Sequence, residues 1–118
     1  MDMNPAKVLI VEDVALIRMT TMEMVEGIGF DVLGAADGAQ ALALLKEEPQ
    51  VTILLTDLGL PDMPGRQLVE KALALKPGLK VIVASGYREE DMANVAFLRK
   101  PFDLQQLRKA LNACVPAA

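Results

Sequence analysis

The chain has 118 residues, 53% hydrophobic but only 3% aromatic, and a formal net charge of -4. This length gives a single domain over residues 1–118 with room for a real core, which must be built from Leu, Val, Ile, Ala and Met. The acidic balance argues against nucleic acid as a direct partner, no apolar run approaches the ~20 residues of a membrane span, and the absence of His rules out His ligands, His bases and a phosphohistidine.

Residues 1–6 are a short polar lead-in with no signal-peptide pattern. Lys7 to Val11 is a continuous apolar run of strand length, predicted to be buried on both faces, and it ends on Glu12-Asp13. From Val14 to Ile28 the period turns helical: Ile17, Thr21, Met24 and Ile28 share one face with Val25 beside them, and Gly27 and Gly29 close the segment. Phe30 to Ala35 is a short strand. Asp37-Gly-Ala-Gln40 reads as a capping box opening a helix to about Glu48, with Pro49 as its stop.

Val51 to Leu55 is a β-rich apolar run of strand length, read as buried on both faces, and Thr56-Asp57 ends it before a loop rich in Gly and Pro, Leu58-Gly-Leu-Pro-Asp-Met-Pro-Gly65. Gly65 to Lys76 is helical, with Leu68, Val69, Ala72 and Leu73 inward and Pro77-Gly78 beyond it. Lys80 to Ala84 is the fourth strand, ending on Ser85-Gly86. Arg88 to Ala93 has room for little more than one helical turn, and Val95 to Leu98 is the fifth strand, ending on Arg99-Lys100-Pro101. In the last helix Asp103 is the N-cap, Gln106 stands at N3, Phe102 staples onto Leu107, and the inward face is Leu104, Leu107, Leu111 and Cys114. Cys114 is the single cysteine, so no internal disulfide forms and a cytoplasmic location is expected. Residues 116–118 are a tail. Five strands alternating with five helices imply a parallel sheet covered on both sides.

Four of the five strands deliver polar groups at their C-terminal ends: Glu12 and Asp13, Asp57, Ser85, and Lys100. In a doubly wound sheet those ends meet in one crevice. Two like charges about 5 Å apart cost about 3 kcal/mol at an effective dielectric of about 20, and one lysine cannot neutralise three carboxylates. Oxygen ligation without His or Cys selects a hard cation, Mg²⁺ foremost with Mn²⁺ as a substitute. A cation, a lysine and a hydroxyl are what a phosphoryl group requires, and a carboxylate beside the metal is placed to be its nucleophile.

Val11-Glu12-Asp13, Thr56-Asp57-Leu-Gly-Leu-Pro-Asp-Met-Pro-Gly65, Ala84-Ser85-Gly86 and Lys100-Pro101-Phe102 together resemble the receiver domain of two-component response regulators, of the chemotaxis-regulator kind, along essentially the whole chain. The resemblance implies a flavodoxin-like α/β fold with strand order 2-1-3-4-5. It makes Asp57 the phosphoacceptor and Asp13, Asp57 and the Gly59 carbonyl direct Mg²⁺ ligands, with Glu12 acting through water. Ser85 then bonds the phosphoryl group and Lys100 bridges it to the site. The phosphoryl group would come from a histidine kinase or histidine phosphotransfer protein, and its arrival would switch the surface of strands four and five and the last helix.

The sequence departs from the family in two places. Many receivers carry a Tyr three residues before the Lys; Phe97 stands there, either a switch without a hydroxyl or a plain core residue. Fifteen positions separate Ser85 from Lys100, so the fourth helix is shortened, a form associated with hybrid histidine kinases. Met1 fits a free-standing regulator, the ending Val115-Pro-Ala-Ala a linker stub, and a weak homodimer is left open. Ala15, Met19 and Met22 lie opposite the core stripe of the first helix, and with Pro101 and Phe102 they are expected to form the partner's docking face. The competing reading is a small Mg²⁺-dependent phosphohydrolase with an aspartyl nucleophile. Such enzymes usually place a carboxylate two residues after the nucleophile, where this chain has Gly59. A nucleotide-binding reading fails for want of any Gly-rich phosphate loop.

Overall fold

The computed structural model of the chain describes residues 6–86 and 95–115. Nine elements follow in order: β1 (Lys7–Val11), α1 (Ala15–Ile28), β2 (Asp31–Ala35), α2 (Gly38–Glu47), β3 (Val51–Asp57), α3 (Gly65–Leu75), β4 (Lys80–Ser85), β5 (Val95–Arg99) and α4 (Leu104–Ala113). The five strands form one parallel sheet in the order β2-β1-β3-β4-β5, the expected flavodoxin-like topology. The predicted turn of helix at Arg88–Ala93 lies outside the described residues, so four helices are seen and the predicted fifth helix is α4.

The apolar runs behave as two-sided strands. Leu9 and Val11 of β1, Leu54 of β3, and Val81 and Val83 of β4 pack beneath α2 and α3, against Ala41, Leu45, Leu68, Val69 and Ala72. Their neighbours Val8, Ile10, Ile53, Leu55, Ile82 and Ala84 face the other way, onto Val25 of α1 and Leu107 and Leu111 of α4. Alternation of side chains along each strand thus fills both layers from one continuous run.

Helix ends follow local chemistry. Gly27 continues α1, and Gly29 closes it at φ 122 with its N–H donating to the carbonyls of Val25 and Glu26, a backbone conformation that favours glycine. At α2 the Asp37 side chain accepts from Gln40 N, but Gln40 Oε1 reaches one residue further back than a capping box requires and accepts from Ala36 N. At α4 the full box forms between Asp103 and Gln106. Two inward assignments fail: Ile17 is 44% and Leu104 also 44% exposed, because each stands in the first turns of its helix, where the helix reaches past its cover. At the N-terminal end of the central strand β3, Lys76 Nζ donates to the carbonyls of Glu48 (2.8 Å) and Val51 (3.0 Å), and burial pushes its pKa down.

The turn from β3 into α3 depends on Gly65. Its N–H donates to the Leu58 carbonyl at 2.7 Å, and a Cβ there would stand 2.6 Å from both the Asp57 carbonyl oxygen and Leu58 Cα. Backbone cannot yield as a flexible side chain can. Gly65→Ala is therefore expected to destabilise the fold by about 1–3 kcal/mol, the usual range for overpacking. Urea unfolding followed by circular dichroism checks this, the chain having no Trp to report by fluorescence.

Candidate functional site

The strand register sets the C-terminal ends side by side. Val11 pairs with Thr56, Asp57 with Ala84, and Ser85 with Arg99, so the residues at those ends share one rim. Glu12 is buried there. Its Oε2 accepts from Val14 N at 3.1 Å, its Oε1 lies 3.3 Å from Lys100 Nζ, and its own carbonyl accepts from the Arg18 guanidinium at 2.9 Å. Asp13 is exposed beside it. Asp57 is half-buried: Oδ1 accepts from Leu58 N at 2.8 Å, and Oδ2 lies 3.4 Å from Lys100 Nζ.

Carboxylate oxygens of Glu12, Asp13 and Asp57 lie within 4.8 Å of one another, the expected acidic cluster. The single ammonium of Lys100 touches two of the three acids, which leaves negative charge in excess. A donor set of carboxylate oxygens at this spacing suits a hard divalent cation and offers a soft metal nothing. Ser85, buried at 4%, ends β4, and its carbonyl accepts from Lys100 N at 2.8 Å, so the hydroxyl and the ammonium hang from one backbone contact. The Lys100–Pro101 peptide bond is cis. Gly59 forms an isolated bridge with Pro64 within the loop after Asp57, and Phe97 is half-buried against the core layer under α2 and α3.

Of the α1 residues expected to face a partner, Met22 departs from expectation. Met22 packs inward, in the core layer with Val25 and Val32, and its sulfur fills the space above Gly34, where a Cβ would meet it at 2.7 Å. Thr21 and Val25 are the buried axis of the helix, which places Met22 at the edge of the covered side. Met19, 58% exposed, and Ala15 do face outward. A groove of about 620 Å³ opens instead along Leu16, Ile17, Thr20 and Met24, closed on its far side by Pro101 and Phe102, with Asp57 and Lys100 at its floor. The stripe Ile17, Thr21, Met24 has the predicted phase, but its first turn lines an open groove instead of a core.

Asp62 is a site-loop residue that sequence reasoning missed. Its Oδ1 and Oδ2 accept from Gly38 N and Ala39 N, each at 2.9 Å, and these two backbone donors hold its carboxyl below the ordinary value. No local pattern announces a partner more than twenty residues upstream. A Pro-Asp-Met-Pro loop facing a helix that begins Asp-Gly-Ala is the nearest thing to a signal.

A family model described as the response regulator receiver domain matches residues 8–112. Sporulation initiation phosphotransferase F of Bacillus subtilis is 30% identical over 118 residues, covering 93% of this chain and 94% of that protein. Sensor kinase CckA of Brucella abortus is 36% identical over 110 residues, 86% of this chain but only 12% of the length of that protein. The crystal structure of the receiver domain from hybrid histidine kinase CckA superposes with a TM-score of 0.82 at 30% identity, covering 92% of this chain and 97% of that one.

Asp62 yields a pH-dependent expectation. A carboxyl whose folded value is depressed adds stability above its unfolded value, ordinarily 3.8, and loses it as pH falls through the folded value. Asp62→Ala should therefore lower the urea midpoint at pH 7, and the gap between mutant and wild type should close on titration to below the folded value. Urea midpoints of both proteins across that range check it.

Proposed function

This chain belongs to the response regulator receiver domain family, whose members serve two-component phosphorelays, and we propose that it takes its phosphoryl group from a phosphohistidine onto Asp57. Residues 1–118 act as one receiver domain in this reading, and its compartment is the cytoplasm; among the described residues no helix is long and apolar enough to cross a membrane. The observation that carries the proposal is Lys100 Nζ standing 3.3 Å from Glu12 and 3.4 Å from Asp57, beside a third carboxylate. One cation shared between acids of two strands is the arrangement a transferring phosphoryl group can enter.

The residues divide the work. Leu58 N–H fixes one oxygen of Asp57, which orients the carboxylate so that its other oxygen can attack phosphorus as the P–N bond to the donor imidazole breaks. Glu12, Asp13, Asp57 and the Gly59 carbonyl would hold Mg²⁺, with Mn²⁺ able to replace it. When bound, that ion supplies charge neutralisation at the phosphoryl oxygens. Lys100 then turns its ammonium from the bare carboxylates to the phosphoryl group. Ser85 gives its hydroxyl to another phosphoryl oxygen. Because Lys100 N–H is bonded to the Ser85 carbonyl, both ends respond together, and Phe97 on β5 lies next to that movement. Gly59, two residues after Asp57, offers no general acid, which disfavours a phosphohydrolase.

The partner is a histidine kinase or histidine phosphotransfer protein, since the chain has no His of its own. Its helix is proposed to lie in the groove between α1 and Pro101-Phe102, apolar contacts giving affinity and the histidine reaching Asp57 at the floor. Leu16, 75% exposed, and Ile17 are the anchors.

Intact mass after incubation with acetyl phosphate should show one added phosphoryl group with Mg²⁺, none with chelator, and none in Asp57→Asn. Labelling that persists in the mutant refutes the assignment. Ile17→Asp should slow transfer from the cognate histidine protein by about tenfold, the effect of losing about 1.4 kcal/mol of docking. Its labelling by acetyl phosphate should match wild type, because a small donor has no use for the groove.

A further inference from the structure

The loop between β3 and α3 is closed at its base by Gly65 N–H on the Leu58 carbonyl and by the Gly59–Pro64 bridge. Its tip is anchored outside itself. Asp62 sets both carboxylate oxygens on the first turn of α2, accepting from Gly38 N and Ala39 N at 2.9 Å each. Next to it Met63 lies directly on Gly38, so close that a Cβ at that glycine would meet its Sδ at 2.6 Å. A charge-assisted pair and a packed thioether thus tie the loop to a helix belonging to a different βα unit.

We propose that Asp62 is a positioning residue for the acidic cluster: by fixing the loop tip to α2 it sets Gly59 and the Asp57 end of β3 before a cation arrives. This rests on reading Glu12, Asp13 and Asp57 as the metal-binding acids. Asp57 and Gly59 flank Leu58, whose N–H holds Asp57 Oδ1 and whose carbonyl closes the loop base, so any swing of the loop reaches the carboxylate through one residue. A carbonyl or carboxylate that must be immobilised on binding loses affinity, and one already held does not. The bland alternative is that Asp62 serves only α2, whose first N–H groups need acceptors and whose dipole favours a negative charge. Asp37 separates the two, since its side chain caps the same helix through Gln40 N at 2.8 Å, a bond within the turn itself.

The test is Mg²⁺ affinity, read from amide-shift titrations of the full chain with MgCl₂. Asp62→Ala should raise the dissociation constant by about tenfold, the low end for loss of a supporting contact behind metal ligands. Asp37→Ala should leave it unchanged while lowering the urea midpoint. Ala39→Pro gives the same test from the other side: it deletes the N–H that meets Oδ2, at a first-turn position where proline is accepted, and should weaken Mg²⁺ in the same direction. Wild-type affinity in Asp62→Ala and Ala39→Pro, or equal weakening in Asp37→Ala, overturns the positioning role and leaves the metal reading intact. A wild-type chain that binds no Mg²⁺ removes both.

Discussion

A carboxylate buried as deeply as that of Glu12, whose side chain keeps 7% of its surface, costs free energy unless donors answer it. One answer comes from Val14 N at the start of α1, the other from Lys100, which begins where β5 ends. The lysine has to reach over the end of β4 to touch acids on β3 and β1. That reach works only while the strand ends are level, as the pairing of Asp57 with Ala84 and Ser85 with Arg99 keeps them. A slip of one residue in β5 would turn Leu98 out of the core and swing the ammonium away together. Register and charge are therefore one constraint.

The same constraint explains where polarity is allowed. Strands β1, β3 and β4 give both faces to the cores, so they hold charge at their ends, Lys7 and Lys80 where β1 and β4 begin and the acids where β1 and β3 finish. The three acids and Lys100 share the C-terminal rim, where, among the described residues, one ammonium touches two of the three acids and negative charge is in excess. In the proposed function such a site would repel a phosphoryl group when alone and receive it once a divalent cation offsets the acids. The excess charge is what makes acceptance conditional.

The two-sided strands are legible in the sequence because each carries a stretch of consecutive apolar residues (Val8–Val11, Ile53–Leu55, Val81–Ala84), and the residues ending them are legible because polarity starts abruptly there. Glu12, Asp13, Asp57, Ser85 and Lys100 need no long-range knowledge beyond the rule that parallel strands share a C-terminal rim. What escaped depends on contacts between distant segments. Met22 turns inward over Gly34 on β2, which leaves room for its sulfur, and no period within the helix encodes that. Ile17 fits the stripe but outruns its cover. Asp62 has an ordinary loop-forming neighbourhood, and its partners stand on a helix chosen by the sheet order.

Gly38 and Met63 form a lock whose two halves are far apart in the chain. The thioether occupies the volume a side chain at 38 would need, so Met63 would have to swing aside for any other residue there. A chimaera that takes its α2 from one protein and its β3–α3 loop from another has to rebuild this contact. Moving residues 37–39 and 62–63 as one graft keeps this contact, and a side chain at 38 is met by a shift of Met63 or by a smaller residue at 63.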